Sequence, residues 1–393
     1  MKKKICILGA TGSIGSSTLK VAIANKNDFI IDTLVANTDT KKILFQIKKY
    51  KPNNYIIKDL NTFLKIKKKI SYNKKIKLFN NYNNIFKQKK KFDITISAIP
   101  GVAGLEPTLN LIKKSKKMLI ANKEAIICGW NLIEKISKKS KTQIVPIDSE
   151  HYSIFELTKD CKNDEIKEIF ITASGGPFLN LPLNKFSKIK PYQAIKHPKW
   201  SMGKKISIDS ATLMNKVLEV LEASKIFPYD FNKYKILIHP QSLVHAIVNF
   251  KNGLSKMIYH LPDMTIPISN AMFANDKNIK DKNYISSKNN FNKNKNLVFR
   301  KVDKKRFPSI NILKTVQKHP SGAVIVNGSN EILVDLFLKK KITFNSIMVY
   351  LSRILNNKDF NKMASIKPVN LKNIYKVDSW SKNITMKLIE KKA

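Results

Sequence analysis

Through the first 147 residues, short apolar runs alternate with longer amphipathic stretches. That rhythm predicts strands joined by helices, hence a parallel sheet with right-handed crossovers. Residues 4–8 (KICIL) read as a strand, Ser16 to Ala24 as a helix, Phe29 to Val35 as a second strand and Tyr55 to Ile57 as a third. Residues 61–91 are rich in Lys and Asn and carry little periodicity. The alternation then resumes with strand Asp93 to Ile99, helix Leu105 to Lys114, strand Met118 to Ile120 and a helix from Ala121 to about Ser137. The run Gln143-Ile144-Val145-Pro146-Ile147 reads as a buried last strand, being apolar, partly β-branched and bounded by breakers.

Beyond it the pattern changes. A short helix (Tyr152 to Thr158), a strand (Lys167 to Thr172) and a strand-like stretch from Lys235 to His260 with an Asn252-Gly253 hairpin turn predict an α+β region. Residues 275–297 are polar and of low complexity, as a linker would be. From Ser309 onward the pattern is helical, at 309–318, 321–339, 344–355 and about 380–391. The expected fold class is therefore α/β. A Rossmann-type parallel sheet spans 1–147, a catalytic α+β domain 148–274, a linker 275–300 and a small helical domain 301–393.

Composition changes this picture in two ways. The chain has 73 Lys+Arg against 28 Asp+Glu, a formal charge of +45. Such a field attracts nucleic acid or acidic membrane. Here, however, the charge is mostly lysine, spread over the whole length and mixed with Asn and Ile. It lacks the Arg and aromatic clustering of nucleic-acid readers, so no specific nucleic-acid partner is expected. No run of 18 apolar residues appears, so no membrane span is expected. Cys6, Cys128 and Cys161 lie far apart and fit neither a disulfide framework nor a zinc site. With strand residues starting at Lys4, no targeting peptide is expected, and a cytoplasmic location follows.

Candidate chemistry gathers at strand ends. The first strand runs into Gly9-Ala10-Thr11-Gly12-Ser13-Ile14-Gly15 and then a helix. Strand, Gly-rich turn and helix together are the context for dinucleotide binding, because backbone amides and the helix dipole meet the pyrophosphate. The spacing is GxxGxxG, a variant common among NADP-binding domains. After the second strand, Asp39 is placed to read a ribose 2′-hydroxyl. Asn37, Thr38 and the lysines behind them are placed to hold a 2′-phosphate instead. The residues leave both open.

Asp148-Ser149-Glu150-His151 follows the last strand of the sheet, at the end where open α/β sheets put ligands. In an extended segment the two carboxylates share one face, so both can bind one hard cation. An acidic turn or a capped helix start would look the same. Ala121-Asn122-Lys123-Glu124 opens a helix on the same edge, and Ser174-Gly175-Gly176 follows a later strand as an exposed-amide turn suited to an anion. Residues 197–219 carry the densest chemistry. A loop with Pro198, Trp200 and Gly203 precedes a helix beginning near Ser210, on which Asn215 and Glu219 share a face beside Lys216. Glu219 is a candidate third carboxylate. His239, His245 and His260 have no metal spacing and read as structural.

Taken in order, GATGSIG, ANKE, DSEH, ASGGPF, HPKWSMGKKISIDSATLMNK-x-LE and IHPQSLVH make the chain resemble the 1-deoxy-D-xylulose 5-phosphate reductoisomerases of the non-mevalonate isoprenoid pathway. The resemblance runs over essentially the full length. It implies conversion of 1-deoxy-D-xylulose 5-phosphate to 2-C-methyl-D-erythritol 4-phosphate with NADPH and Mg²⁺, Mn²⁺ or Co²⁺. Carbon–carbon cleavage and re-closure would come first, then hydride reduction. It also implies a homodimer. By motif match it implies Asp148, Glu150 and Glu219 as metal ligands, and Ser149, Ser174, His197, Ser210, Asn215 and Lys216 as substrate contacts, most of them around the phosphate. Lys123 would contact the hydroxyl end. Thr11, Gly12, Ser13, Ile14, Asn37, Thr38, Asn122, Glu124 and Gly203 would face the cofactor, and Trp200 and Met202 would belong to a closing loop, 197–205. Three carboxylates without Cys or His agree with a hard cation. Glu150 and Lys123 are the candidates for moving protons.

The chain departs from the family in three places. Asn37-Thr38-Asp39 replaces the usual Gly-Lys-Asn, Val217 replaces a glycine and Lys199 an asparagine. A plain Rossmann dehydrogenase of a phosphorylated semialdehyde is the competing enzyme class. It needs a nucleophilic cysteine, and Cys128 in mid-helix and Cys161 in a polar loop are poorly placed.

Overall fold

The computed structural model describes residues 1–71, 75–87, 90–200, 202–274 and 296–390. In chain order the first elements are β1 (Lys3–Leu8), α1 (Ser13–Ala24), β2 (Phe29–Ala36), α2 (Thr40–Tyr50), β3 (Asn54–Ile57), α3 (Leu60–Lys69), β4 (Lys77–Phe79), α4 (Asn83–Phe86), β5 (Phe92–Ser97) and α5 (Leu105–Ile112). Then come β6 (Ser115–Ile120), α6 (Lys123–Ser140), β7 (Gln143–Pro146), α7 (Ser149–Thr158), β8 (Ile166–Ala173), α8 (Pro191–Ala194), α9 (Lys204–Ala211) and α10 (Met214–Ile226). The last are β9 (Tyr234–Ile238), β10 (Val244–Phe250), β11 (Ser255–Tyr259), α11 (Thr265–Phe273), β12 (Arg300–Lys301), α12 (Leu313–Val316), α13 (Gly322–Leu338), α14 (Phe344–Leu355), α15 (Phe360–Ala364) and α16 (Leu371–Glu390).

The chain divides into two compact units. One holds Met1–Ala125, Leu132–Tyr152 and the segment from Asp263; the other holds Ile126–Asn131, Ser153–Pro262 and the remainder to the C-terminus. In the first, seven parallel strands run in the order β4-β3-β2-β1-β5-β6-β7. The strand order reverses between β1 and β5, and this switch point is where such sheets bind ligands. β1 is buried throughout its second half, Ile5 to Leu8, because parallel strands are covered on both faces. The weakly patterned 61–91 region contributes α3, β4 and α4, short elements whose lysines face water.

Helix α11 falls in the span expected with the catalytic domain, yet it packs in the first unit. Phe273 meets Phe29 edge-on with ring centroids 5.0 Å apart. Lys117 donates its ammonium to the carbonyls of Ala271 (3.3 Å) and Ala274 (3.1 Å), closing the C-terminal end of that helix.

The second unit is built on a mixed five-stranded sheet, β11-β10-β8-β9-β12, with α10 packed against β8. Ile169, Ile171, Val220, Ala223, Ala246, Val248 and Phe307 form its core. The C-terminal helices belong to this unit, α13 lying along α16. Most of the linker expected at 275–300, residues 275–295, lies outside the described residues. Among the described residues no helix is long and apolar enough to cross a membrane.

Candidate functional site

The Gly-rich turn closes over the switch point of the parallel sheet. Gly9 has φ +81°. A Cβ there would lie 2.7 Å from the Ala98 carbonyl carbon, and one on Gly15 would lie 2.6 Å from the Ala10 Cα. Both positions therefore need glycine. Helix α1 then starts at Ser13 with Gly12 as its cap, no side-chain cap bond and no acidic residue in its first turn. Its leading amides are left for a ligand, with the dipole favouring an anion. Gly12 and Ser13 are exposed, and Thr11 and Ile14 half-buried.

Asn37 and Thr38 are exposed just after β2. Asp39, which the sequence left open as a ribose reader, caps α2 instead. Its carboxylate accepts from the Lys42 amide at 3.0 Å, and the Lys42 ammonium lies 3.6 Å from its other oxygen.

Further along the same edge, Asn122 caps α6 by accepting from the Ala125 amide at 3.0 Å and donates to the Gly101 carbonyl at 3.1 Å. That fixes Lys123 and Glu124 in the helix's first turn, both buried. β6 and β7 are neighbours, so Lys123 and Asp148 meet at their ends, with 3.0 Å between Nζ and Oδ2. His151 Nδ1 is 3.9 Å from the same oxygen.

The carboxylate pair is built differently from the extended arrangement expected. Helix α7 already begins at Ser149, and the Asp148 carbonyl accepts from the Tyr152 amide at 2.8 Å. Asp148 thus stands at the helix start and Glu150 in its first turn, where the dipole favours a carboxylate. Ser149 donates its hydroxyl to Glu150 at 2.6 Å.

The second unit holds the remaining candidates. Ser174 directly follows β8 and precedes Gly175 and Gly176, both at positive φ. Its hydroxyl oxygen accepts from the Gly176 amide at 3.1 Å and lies 2.8 Å from His197 Nε2. The amides of Lys199 (3.2 Å) and Trp200 (2.9 Å) both point at His197 Nδ1. The neutral ring therefore carries its proton on Nε2 and donates to Ser174, whose own O–H is left to donate onward. Burial and the nearby Lys216 charge lower the His197 pKa to about 4, so the ring is neutral near pH 7.

Residues 204–226 form two helices where one was expected to open near Ser210. Leu213 adopts a left-handed conformation (φ 61°) between them, which ends α9 and starts α10. Asn215 and Glu219 share a face of α10 as the spacing requires, and Asn215 donates to the Glu219 carboxylate. The Lys216 ammonium donates to its other oxygen at 2.8 Å, with both side chains buried. Ser210 sits at the end of α9, and its carbonyl oxygen would lie 2.9 Å from a Cβ on Gly176. The Ser174 turn and the α9 end are therefore in close approach.

In the loop, Trp200 packs edge-on to His245 (centroids 5.9 Å), which stacks on His260 at 3.8 Å. Met202 is half-buried, and Gly203 is the exposed cap of α9. Glu222, 1% exposed and one turn after Glu219, is a further buried carboxylate on α10 that is not among the candidates above. The i, i+3 spacing was the available signal. Cys128 is buried, and Cys161 donates to the Leu157 carbonyl at 3.4 Å. Neither stands as an exposed nucleophile.

A Rossmann-type parallel sheet whose glycine turn runs into a helix start without a side-chain cap puts the first unit in the class of dinucleotide-binding α/β folds. Within it, sequence models described as 1-deoxy-D-xylulose 5-phosphate reductoisomerase match residues 5–129, and models of its C-terminal domains match 144–227 and 260–384. The chain belongs to that family. It is 48% identical to the Pelagibacter ubique reductoisomerase over 96% of this chain and 97% of that one. It is 38% identical to the Persephonella marina protein, over 93% and 94%. A crystal structure of DOX-P reductoisomerase with NADPH, fosmidomycin and magnesium superposes with TM-score 0.91 at 29% identity, over 99% of this chain and 98% of that one. The Zymomonas mobilis enzyme with NADPH gives 0.87 at 30%, over 99% and 100%.

Proposed function

We propose that this chain is an NADPH- and metal-dependent reductoisomerase that converts 1-deoxy-D-xylulose 5-phosphate to 2-C-methyl-D-erythritol 4-phosphate. The observation that carries the reading is the set Ser174, His197 and Lys216. It offers a hydroxyl, an amide-rich turn and a buried ammonium to one phosphate monoester. Ser210 and Asn215 complete that contact set, and Ser149 and Lys123 serve the hydroxyl end of the substrate. The Gly-rich turn would receive the pyrophosphate of NADPH, and Thr11 to Ile14, Asn37, Thr38, Asn122, Glu124 and Gly203 would hold the nucleotide.

Asp148, Glu150 and Glu219 would hold the divalent cation. An all-oxygen set of buried or half-buried carboxylates suits Mg²⁺ or Mn²⁺. When bound, the cation would act as Lewis acid on the substrate's ketone and adjacent hydroxyl, and NADPH would supply the hydride. The protein's own groups do the rest. Lys123, paired with Asp148 and nearly buried, is placed to hold or return a proton at its Nζ. Glu150 is the second proton-moving group. Trp200 and Met202 belong to the loop that excludes water.

Metal-dependent loss of the reduced-nicotinamide absorbance on adding 1-deoxy-D-xylulose 5-phosphate is the expected result. No turnover by folded, metal-binding protein would sink the reading. An inert Glu150→Gln that still binds metal supports the proton role, and unchanged turnover removes it.

We also propose a cytoplasmic homodimer. β11 is a sheet edge, with Leu254 before it and Met257 within it both exposed, and such an edge favours cover by a second chain. Light scattering giving the mass of one chain would contradict this.

A further inference from the structure

Helix α2 is fastened to the Gly-rich turn by one face. Lys42 and Gln46 are four residues apart, so they point the same way. Gln46 donates to the Ala10 carbonyl at 2.8 Å and accepts from the Tyr55 hydroxyl at 2.6 Å. Lys42 donates to the Thr11 carbonyl at 3.0 Å. The helix register therefore sets where the Lys42 ammonium sits: beside the turn, at the C-terminal ends of β1 and β2. In this fold that is where the adenosine ribose of a dinucleotide lies.

The acid that would ordinarily read a ribose hydroxyl is committed elsewhere, since Asp39 caps α2 and pairs with Lys42. A carboxylate so engaged offers little to a 2′-hydroxyl, and its charge is offset against a 2′-phosphate. Lys42 keeps 57% of its side chain exposed, so its ammonium retains donors for a ligand. We infer that Lys42 is the cationic contact that selects a 2′-phosphorylated dinucleotide over the unphosphorylated one, with the exposed Asn37 and Thr38 as polar partners. The contact thus comes from the first turn of α2 rather than from the loop before it. This rests on the reading of the chain as a dinucleotide-dependent reductase.

The test is calorimetric titration of the full chain with NADPH and, separately, NADH, without substrate. Lys42→Gln should weaken NADPH about tenfold or more, the range for a hydrogen bond to a charged group, and leave NADH within about twofold. Lys42→Arg should keep the preference, and Asp39→Asn, which can still cap α2, should tighten NADPH alone. The lost surface pair is worth little to stability, and a melting curve checks that. Equal weakening of both nucleotides would reduce Lys42 to a fastener of the turn and overturn the inference; so would unchanged NADPH binding. A wild-type chain that binds neither nucleotide overturns the underlying reading instead, and one that prefers NADH overturns only the selectivity.

Discussion

The turn after β1 and the turn after β8 are the two anion sites proposed for this chain, and they are built from different materials. The first is backbone: glycines in close approach and a helix start without a side-chain cap. The second is side chain: a serine oriented by a histidine, and a lysine held by a buried glutamate. A backbone site depends on what is absent, since any Cβ at Gly9 or Gly15 meets main chain. A side-chain site depends on charges being matched, because a buried ion without its partner is costly. The two should therefore fail differently when mutated.

Lys216→Met should give the largest effect. It leaves the Glu219 carboxylate, 1% exposed, without its ammonium. Breaking one side of a buried pair costs about 3 kcal/mol or more. Urea unfolding should show that loss, and inorganic phosphate should no longer protect the protein. The same change removes the charge that helps depress His197, so its titration, followed by NMR, should move up from about 4. Full stability in Lys216→Met would mean the second site is not held by charge matching. Gly15→Ala comes next. Overpacking of this kind costs about 1–3 kcal/mol, and dinucleotide affinity should fall with it while phosphate protection stays. Loss of both together would erase the contrast between the two turns.

The same difference governs what could be read from the chain. GATGSIG with its flanking strand and helix announces itself, because steric necessity leaves few residues to choose from. Most strands of the parallel sheet were legible for a similar reason, being continuous apolar runs. The short β4 was not, for Lys77-Leu78-Phe79 has too few residues to show a period. Nor was the break at Leu213, a left-handed position filled by a residue with no preference for it. Asp148 and Glu150 were found for a reason the fold does not use. Their spacing suggested an extended face, and the helix starting at Ser149 supplies the arrangement instead. The Ser174–His197 pair joins positions far apart in sequence and carried no local signal; only the ordered set of motifs brought the two residues together.

His197 allows the side-chain site to be probed by pH. Its folded pKa, about 4, lies below the ordinary histidine value of 6.5. Above pH 6.5 the ring is neutral folded and unfolded, and its contribution is fully present. As pH falls towards 4 the unfolded chain takes up the proton first, so stability is lost across that window. The ring is only partly buried, and after allowing for solvent screening the loss is about 1–2 kcal/mol. Urea midpoints at pH 7 and pH 5 should differ more in the wild type than in His197→Gln. Equal differences would mean the ring is not the neutral donor to Ser174.

The smallest effect separates folding from binding. Gly203 caps α9, and a Cβ there would meet nothing within 4 Å. Its φ of −65° is open to any residue. Gly203→Ala should cost only about 0.5 kcal/mol, the difference between glycine and alanine as a cap. Any larger fall in NADPH affinity then cannot come from the fold. It would report that the nucleotide lies against residue 203, as the family resemblance implies. Unchanged affinity would take residue 203 out of the nucleotide's contacts and leave the loop to the substrate. The loop before α9 would then answer to the phosphorylated sugar of the second turn, and the dinucleotide to the first.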